Sequence, residues 1–308
     1  MQNVDYDLVI IGGGPAGLTA GLYAARARLN VILLEKSVTG GQIIVTDWIE
    51  NYPGFPEGIS GIDLTGKMTE QAKRFGLEIE TEEVLSLDCS NKVKKIELGD
   101  RTISAHTIII ATGASPSTLD VPGEDDFYGK GVSSCATCDA PFFSGAVVAA
   151  VGGGDTAVQE SIFLTKFAKK VFLIHRRNEL RASKILQERA FANDKIEIVW
   201  DSVLTGINGT KTGVTNITIK NVKTEDTSDL AVEGCFIWVG IQPDSAFLGD
   251  DIKVDEYGFI IVNDRMETSV PGVFAAGDGR STPLRQIATA IGDAAIAAVS
   301  AEHYIENL

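Results

Sequence analysis

Two copies of a glycine-rich fingerprint constrain the fold of this chain most strongly. Residues 12–17 read Gly-Gly-Gly-Pro-Ala-Gly and residues 152–157 read Gly-Gly-Gly-Asp-Thr-Ala, each between an apolar run and a helix-like segment. The distance from the first glycine to the end of the next predicted strand is the same in both copies, 23 residues from Gly12 to Glu35 and from Gly152 to His175. The sequence therefore predicts an internal repeat of a whole β-α-β unit.

The first copy has the features of a dinucleotide site. Leu8–Ile11 is a continuous apolar run typical of a buried parallel strand, Leu18–Ala27 predicts a helix, and Val31–Leu34 predicts the next strand. The glycines allow a tight turn, a close approach of pyrophosphate and close helix packing, and an acid after the second strand can accept a hydrogen bond from a ribose hydroxyl. The candidate binding residues here are Gly12, Gly14, Pro15, Ala16, Gly17 and Glu35.

The second copy differs at the position that selects the nucleotide. Val147–Val151 and Val158–Phe167 predict its strand and helix, but His175-Arg176-Arg177 stands where the first copy has an acid. Guanidinium groups donate hydrogen bonds to a 2′-phosphate, which a carboxylate would repel. We therefore expect NADPH rather than NADH here and a flavin dinucleotide, FAD, at the acid-ended site, although an exposed basic helix start is the alternative interpretation. The candidate NADPH residues are Gly152, Gly154, Asp155, Thr156, His175, Arg176, Arg177 and Arg181.

A Cys-x-x-Cys pair, Cys135 and Cys138, precedes the second fingerprint. Half of a zinc site, a structural disulfide and a redox couple are the three possible interpretations. Zinc is disfavoured because the nearest histidines, His106 and His175, lie 29 and 37 residues away, and so small a disulfide loop would stabilise the fold little. We predict a redox couple and no metal, with the adjacent Asp139 able to hold a proton as a thiolate forms.

The segments outside the repeats are predicted more coarsely. Gly234–Gly240 reads as a buried strand containing Cys235, and Val273–Asp278 as a strand ending in Gly-Asp. A small antiparallel excursion is predicted from Ile79–Leu87, Val93–Leu98 and Thr102–Ser104, followed by a separate buried strand at Thr107–Ile110. The predicted helices outside the repeats are Met68–Phe75 and Ile287–His303.

Length and charge exclude several classes of function. A chain of 308 residues predicts about two domains, and a net charge of −15 argues against general nucleic-acid binding. The first residues lack the basic start and long apolar run of a signal peptide, and Gly292 and Asp293 interrupt the most alanine-rich segment, so we expect no membrane span. Four cysteines are too few for a disulfide scaffold. We expect a cytoplasmic protein.

Taken in order, the motifs closely resemble those of the bacterial low-molecular-weight thioredoxin reductases over nearly the entire chain. They are GGGPAG, GGQ, ENYPGF, ATGA, CATCD, GGGDTA, HRRNELRAS and GVFAAGD. The resemblance implies an α/β fold of two Rossmann-like, three-layer nucleotide-binding domains, the second inserted in the first. Residues 1–114 and 245–308 would form the FAD domain, and residues 115–244 the NADPH domain with the Cys-x-x-Cys pair.

The resemblance also implies roles for further residues. Cys135 and Cys138 would shuttle electrons with Asp139 as the acid, and the protein would be a homodimer that reduces thioredoxin. The additional FAD contacts would be Gln42, Asn51, Thr112, Gly113, Gly277, Asp278, Arg285 and Gln286. One departure is Ala140-Pro141, where the family commonly has Gly-Phe, and proline removes a backbone N–H there.

The expected reaction passes hydride from NADPH to FAD, then electrons to the Cys135–Cys138 disulfide, and then exchanges the dithiol with a protein disulfide. With the dithiol and the flavin in different domains, we expect one domain to rotate on the crossings near residues 115–122 and 241–248. The alternatives are a flavoprotein reductase of another thioredoxin-like, peroxidase or ferredoxin partner, and a nucleotide-binding redox sensor without turnover.

Overall fold

The computed structural model describes residues 4–46 and 48–308. The first three residues, which belong to the start for which no signal peptide is expected, lie outside the described residues. The chain divides into two compact units, one formed by Met1–Ser115 with Gln242–Leu308 and the other by Pro116–Ile241. They are called unit 1 and unit 2 below.

Seventeen strands lie within the described residues. In chain order they are β1 (Tyr6–Ile11), β2 (Val31–Glu35), β3 (Glu78–Thr81), β4 (Ser86–Asp88), β5 (Lys94–Glu97), β6 (Thr102–Ile110), β7 (Ala114–Pro116), β8 (Val132–Ser133), β9 (Val147–Gly152), β10 (Lys170–Ile174), β11 (Ile196–Val199), β12 (Ser202–Thr210), β13 (Gly213–Asn221), β14 (Thr227–Ala231), β15 (Gly234–Trp238), β16 (Ile241–Pro243) and β17 (Val273–Ala275). The short strands β7 and β16, where the chain passes between the units, pair with each other.

Six α-helices lie within the same ranges. They are α1 (Pro15–Arg26), α2 (Gly61–Arg74), α3 (Ala136–Asp139), α4 (Asp155–Leu164), α5 (Lys184–Phe191) and α6 (Ile287–Glu306), with 3-10 turns at Gly41–Val45, Ala140–Phe143 and Gly277–Gly279. In the part of the chain that the structure describes, no helix combines the length and the apolar character that crossing a membrane requires.

Unit 1 is built on a seven-stranded sheet in the order β3-β2-β1-β6-β5-β4, with β17 pairing with the end of β6. The pairs among β3, β2, β1, β6 and β17 are parallel, and β4, β5 and β6 form an antiparallel extension. The strand order reverses direction between β1 and β6. In parallel α/β sheets, ligands bind outside the carboxyl ends of the strands at such a reversal.

The alternation of side chains along β1 explains why its sequence is apolar throughout. Leu8 and Ile10 belong to the core beneath helices α1 and α6, whereas Val9 and Ile11 belong to the core on the opposite face. All four are at most 4% exposed, and burying each such side chain contributes about 1.5–3 kcal/mol. Helices α1 and α6 approach each other closely through small residues because buried alanines line the inner face of α6.

Unit 2 repeats the parallel arrangement with the order β11-β10-β9-β15-β8. Helices α3, α4 and α5 and their neighbouring side chains form the core on one face, and an antiparallel sheet of β12, β13 and β14 covers the other. The predicted α/β fold with two Rossmann-like domains is confirmed.

Three details of the predicted secondary structure are wrong. Residues 79–87 do not form one antiparallel strand, because β3 pairs parallel with β2 and only β4 joins the antiparallel extension. Residues 102–110 form one continuous strand rather than two, because β6 pairs with β5 in its first half and with β17 in its second. Helix α2 also begins seven residues earlier than predicted, at Gly61, where the Ser60 side chain caps it by accepting from Asp63 N.

Candidate dinucleotide sites and the disulfide

The first fingerprint forms the turn between β1 and α1, and two of its glycines are required by close approaches. Gly12 has a left-handed φ of 105°, and a Cβ there would lie 2.4 Å from the carbonyl oxygen of Ala111. A Cβ on Gly17 would lie 1.8 Å from the carbonyl oxygen of Gly12. A side chain at Gly12 would clash with the backbone that follows β6, and one at Gly17 would push α1 away from the turn.

The N-terminus of α1 is arranged to receive an anion. Gly14 is the N-cap residue, and no described side chain caps the helix there. Pro15 occupies the first turn, where its missing N–H costs no hydrogen bond. The backbone N–H groups of this turn therefore remain available to a phosphate, which the helix dipole also attracts.

Glu35, the last residue of β2, is held over the fingerprint. Its carboxylate accepts hydrogen bonds from Gly13 N at 2.6 Å and from Ser37 N at 3.0 Å. Two backbone donors fix the carboxylate at the carboxyl end of the strand, where a ribose would be bound. The acid predicted from the sequence is thus in place beside the glycine turn.

A cavity of about 550 Å³ extends from the fingerprint through unit 1. It is lined by most of the residues predicted to bind FAD, namely Gly12, Gly14, Pro15, Ala16, Glu35, Gln42, Thr112, Gly113, Gly277, Asp278 and Gln286. Gly17 is not among its lining residues because it faces the strand. Asn51 and Arg285 are also outside the lining but each contacts it, since Asn51 Nδ2 donates to Gln286 Oε1 at 2.7 Å and Arg285 Nε donates to the carbonyl oxygen of Asp278 at 3.3 Å.

Asp278 places a second carboxyl group on the cavity wall, on the turn whose Gly277 packs against Ala16 of α1. Burial raises the pKa of Asp278, and the nearby guanidinium of Arg285 opposes this effect while Asp293 adds to it. The Arg285 guanidinium also lies over the ring of Phe259, 4.0 Å from its centroid. The cavity therefore offers a helix N-terminus and two carboxyl acceptors, Glu35 and the half-buried Asp278, which fits a molecule with a diphosphate and hydroxyl groups such as FAD.

Sequence reasoning missed the ion pair that supports Asp278. Arg280 Nε donates to Asp293 Oδ2 and Arg280 Nη2 to Asp293 Oδ1, both at 2.7 Å, and both side chains are largely buried. Gly277 N also donates to Asp293 Oδ2 at 3.3 Å. This bidentate pair ties the 3-10 turn carrying Asp278 to helix α6. The available signal was an aspartate inside an otherwise apolar, alanine-rich helix.

A second contact missed from the sequence lies at the Glu35 end. Lys36 Nζ forms an ion pair with Asp244 Oδ2 at 2.7 Å, and Thr112 Oγ1 donates to the carbonyl oxygen of Asp244 at 2.8 Å. The hydrogen bond to Asp244 raises the pKa of Lys36. Lys36 and Asp244 both line the cavity, so the pair borders the dinucleotide site of unit 1.

In unit 2 the second fingerprint joins β9 to α4. Gly154 is the N-cap of α4, again without a capping side chain among the described residues, and Asp155 and Thr156 follow in the first turn. Asp155 Oδ1 accepts from Ser183 N at 2.6 Å, and Arg181 N donates to the carbonyl oxygen of Gly153 at 2.7 Å. These bonds bring the basic segment against the fingerprint.

The basic segment follows β10 directly. Arg176, Arg177 and Arg181 are exposed to solvent, so their guanidinium groups are free to approach a ligand, whereas His175 is buried. The uncapped helix N-terminus together with exposed guanidiniums fits a dinucleotide that carries an additional phosphate. The structure places all eight of the predicted NADPH residues in or beside this loop and basic segment.

Cys135 and Cys138 form a disulfide at the N-terminus of α3. Cys138 is exposed and Cys135 half-buried. Cys135 Sγ accepts from Cys138 N at 3.2 Å, and Cys135 N donates to Ser133 Oγ at 2.9 Å. Once this disulfide is reduced, its exposed sulfur is accessible to an external disulfide, with which a thiolate can exchange. Asp139 is the last residue of α3 and half-buried.

The other two cysteines lie in apolar cores. Burial raises the pKa of the Cys89 thiol to about 11 and that of the Cys235 thiol to about 12. Both therefore remain protonated thiols at neutral pH, which makes them poor nucleophiles. Across residues 4–46 and 48–308, no group of three or more His, Cys, Asp or Glu side chains is placed to hold a metal ion.

Gly17→Ala is expected to destabilise the protein by about 1–3 kcal/mol, because the new methyl group must displace the carbonyl of Gly12. Gly66→Ala is the matched control, since Gly66 is also inside a helix but has nothing within 4 Å of its Cβ position, and it is expected to stabilise by about 0.5–1 kcal/mol. Thermal unfolding of both variants measures the difference. Equal melting temperatures would contradict the predicted close packing at Gly17.

Comparison with known proteins agrees with this arrangement. A sequence profile of the family described as Pyridine nucleotide-disulphide oxidoreductase matches residues 6–294. The thioredoxin reductase of Peptoclostridium litorale is 46% identical over 314 residues, covering 100% of this chain and 99% of that protein, and the thioredoxin reductase of Bacillus subtilis is 45% identical over 303 residues, covering 98% and 96%. The crystal structure of Lactococcus lactis thioredoxin reductase in its FR conformation matches with a TM-score of 0.97 at 44% identity, covering 99% of this chain and 100% of that one.

Proposed function

The chain belongs to the pyridine nucleotide-disulphide oxidoreductase family, and from this membership we propose that it is an NADPH-dependent thioredoxin reductase. The observation that carries the proposal is the Cys135–Cys138 disulfide, partly exposed in the same unit as the arginine-ended fingerprint. A nucleotide site and a reducible disulfide in one chain require an electron carrier between them. The acid-ended cavity of unit 1 supplies a place for one.

The proposal assigns FAD to unit 1. The first turn of α1 would bind its pyrophosphate and Glu35 its ribose, while Asp278 and Gln286, which also line the cavity, would contact the remainder of the molecule. FAD, when bound, would accept hydride from a nicotinamide and pass the two electrons to a disulfide. The remaining FAD contacts of the proposal are Gly12, Gly14, Pro15, Ala16, Gly17, Gln42, Asn51, Thr112, Gly113, Gly277 and Arg285.

NADPH is assigned to unit 2. The first turn of α4 would bind the pyrophosphate, and Arg176, Arg177 and Arg181 would bind the 2′-phosphate, because guanidinium groups donate two hydrogen bonds at once to phosphate oxygens. The other contacts of the proposal are Gly152, Gly154, Asp155, Thr156 and His175. The domain boundaries proposed for the two sites are residues 1–114 with 245–308 for FAD and residues 115–244 for NADPH.

Residues of this chain carry out the thiol–disulfide exchange. Two electrons and two protons convert the Cys135–Cys138 disulfide into a dithiol, and Asp139 can supply or hold one of these protons. One thiolate then attacks a disulfide of the partner and forms a mixed disulfide, and the second thiolate breaks it. The partner leaves with two reduced sulfurs, and the Cys135–Cys138 disulfide is restored.

Thioredoxin is the proposed partner because relatives that match the chain over its whole length are thioredoxin reductases. The dithiol weighs against a direct ferredoxin reductase, which needs no Cys-x-x-Cys pair. The test is steady-state oxidation of NADPH by the FAD-loaded enzyme with oxidised thioredoxins, with NADH as the control. We expect turnover with NADPH and thioredoxin together, and slow or single-turnover behaviour would instead favour a redox sensor.

Replacing Arg177 and Arg181 together by glutamine is expected to raise the KM for NADPH by about 10- to 100-fold, because charge-assisted hydrogen bonds to phosphate are lost. The KM for NADH, which has no 2′-phosphate, should change little. Steady-state kinetics with both nucleotides measure the two values. An equal rise for NADPH and NADH would place the arginines away from the 2′-phosphate. Arg189→Gln is the matched control, since Arg189 lies on α5 outside the fingerprint.

A homodimer and a cytoplasmic location are also proposed. Resemblance to the bacterial low-molecular-weight enzymes supports a homodimer, and a reductant such as NADPH suits the cytoplasm. Sedimentation of the FAD-loaded protein tests the first part, with a mass of about twice the 32.8 kDa chain expected. Fractionation of cells producing the protein tests the second part.

A further inference from the structure

His175 and Glu35 occupy equivalent positions in the two repeats. Each follows or ends the second strand of its unit, and each packs on the second glycine of its fingerprint. A Cβ on Gly13 would lie 3.0 Å from Glu35 Oε2, and a Cβ on Gly153 would lie 2.3 Å from Nδ1 and Cε1 of His175. Both side chains therefore support a nucleotide-binding loop from beneath, but only one of them can become a cation.

The imidazole of His175 is incompletely hydrogen-bonded. The residue is 5% exposed, and its Nε2 atom is buried with no hydrogen-bond partner among the described residues. In the first unit, by contrast, the Glu35 carboxylate accepts from Gly13 N and Ser37 N. A buried polar nitrogen without a partner is costly and points to a state of the molecule in which it is better satisfied.

Burial is the main effect that opposes a positive charge on the His175 ring, and the neighbouring groups act in both directions. Burial lowers the pKa of His175, and the guanidiniums of Arg181 and Arg177 lower it further, while backbone groups of Gly152 and Glu179 act in the opposite direction. Two carboxylates of adjoining segments have other partners, because Asp155 accepts from Ser183 N and Asp201 pairs with Lys223 at 2.7 Å, and the Glu179 side chain is exposed to solvent. The Trp200 ring meets the imidazole edge to face at 6.4 Å and carries no charge. The lowered pKa of His175 favours the neutral ring in the free protein.

An anion bound by Arg177 and Arg181 would cancel the repulsion that these two groups exert on the imidazole. It would also bring negative charge towards the loop on which the ring packs. Both effects favour the protonated ring, whose second N–H can then act as a donor. Glu35 cannot gain a positive charge in this way, because its carboxylate only accepts hydrogen bonds.

We propose that His175 is a positioning residue that takes up a proton from solvent when a 2′-phosphorylated dinucleotide binds to Arg177 and Arg181. The inference rests on the proposed NADPH site and adds to it a coupling between the 2′-phosphate and the loop that binds the pyrophosphate. A nucleotide without the 2′-phosphate leaves the arginine charges uncompensated and the ring neutral. His175 thereby adds to the discrimination between NADPH and NADH.

The protonation of His175 determines how the stability of the free protein and the affinity for the nucleotide change with pH. In the free protein the pKa of His175 lies below its ordinary 6.5, so the unfolded chain binds more protons and stability falls as the pH drops below 6.5. For the complex, proton uptake means that acidification favours binding in the interval between the pKa of the free protein and that of the complex. The 2′-phosphate has the opposite tendency, because it binds best as a dianion.

Isothermal titration calorimetry separates these two contributions. Adenosine 2′,5′-bisphosphate is titrated into the FAD-loaded protein at pH 6.5 in two buffers of different ionisation enthalpy, which gives the number of protons exchanged on binding. The wild type is compared with His175→Asn, in which the two phosphates of the ligand still titrate but residue 175 does not. We expect the wild type to take up more protons than the variant, by up to about one. Adenosine 5′-monophosphate, without the 2′-phosphate, should show no such difference.

A spectroscopic measurement on the unaltered protein keeps the test independent of how the variant folds. The chain has three histidines, so their ring proton resonances can be followed by NMR over a pH titration and assigned with the His303→Asn and His175→Asn variants. The midpoint for His175 should rise when the bisphosphate is bound. Equal proton uptake in both proteins, or an unmoved His175 midpoint, overturns the inference alone. Failure of the wild type to bind the bisphosphate overturns it together with the NADPH assignment.

Discussion

The Cys138→Ser enzyme is expected to lose turnover with a protein disulfide by roughly three orders of magnitude or more, the scale on which loss of a covalent nucleophile is felt. A serine hydroxyl can neither form a disulfide with Cys135 nor resolve a mixed disulfide with the partner. The flavin should still be bleached by NADPH, because the nucleotide and flavin sites retain their residues. Stopped-flow absorbance and a thioredoxin-coupled assay measure the two steps separately.

Cys135→Ser should likewise lose reduction of the protein disulfide and keep bleaching of the flavin by NADPH, since the reaction needs both sulfurs. Cys89→Ala is the matched control, because Cys89 is buried in the core of unit 1 and its raised pKa keeps it a thiol. The control should retain turnover at the wild-type level. A Cys138→Ser protein that still reduced thioredoxin catalytically would show that electrons leave the enzyme by another route.

Arg280→Met is expected to destabilise unit 1 by about 3–5 kcal/mol, because it leaves the buried carboxylate of Asp293 without its bidentate partner. The uncompensated charge would also act on Asp278, whose pKa Asp293 already raises. We therefore expect weaker retention of FAD as well as a lower melting temperature. Thermal unfolding with and without added FAD, and flavin content after gel filtration, measure both effects.

A double-variant cycle separates the ion pair from simple loss of packing. Asp293→Asn alone leaves Arg280 unpaired and should also be costly. The double variant Arg280→Met with Asp293→Asn removes both charges, and Asn can still accept from Gly277 N, so it should recover most of the lost stability. Additive losses in the double variant would mean that the two residues contribute independently, contrary to the observed geometry.

Much of this fold follows from the repeated β-α-β pattern. Gly12 and Gly17 were predicted to be essential for turn and packing, and the distances from their Cβ positions to backbone oxygens show why. The carboxyl-end position of Glu35 likewise followed from its spacing to the glycines. These features are local, because a strand, a turn and a helix that adjoin in sequence also adjoin in space.

Features that depend on distant partners were not predicted. The apolar pattern of residues 79–87 could not show that β3 pairs with β2, since alternation indicates a strand but not its neighbour. Asp293 was noted only as an interruption of an apolar segment, because Arg280 lies thirteen positions away and its side chain could have faced solvent. His175 was predicted from its motif. Its burial was not predicted, because it depends on packing against Gly153, which follows a different strand.

The most direct test of the account is a stoichiometric anaerobic measurement. The FAD-loaded enzyme is mixed with a limiting amount of NADPH and an excess of oxidised thioredoxin, and new thiols on thioredoxin are counted after the nucleotide is consumed. The account predicts two thioredoxin thiols for each NADPH oxidised, and none with the Cys138→Ser enzyme. NADPH oxidation without new thioredoxin thiols, or an equal thiol yield from the variant, would contradict it.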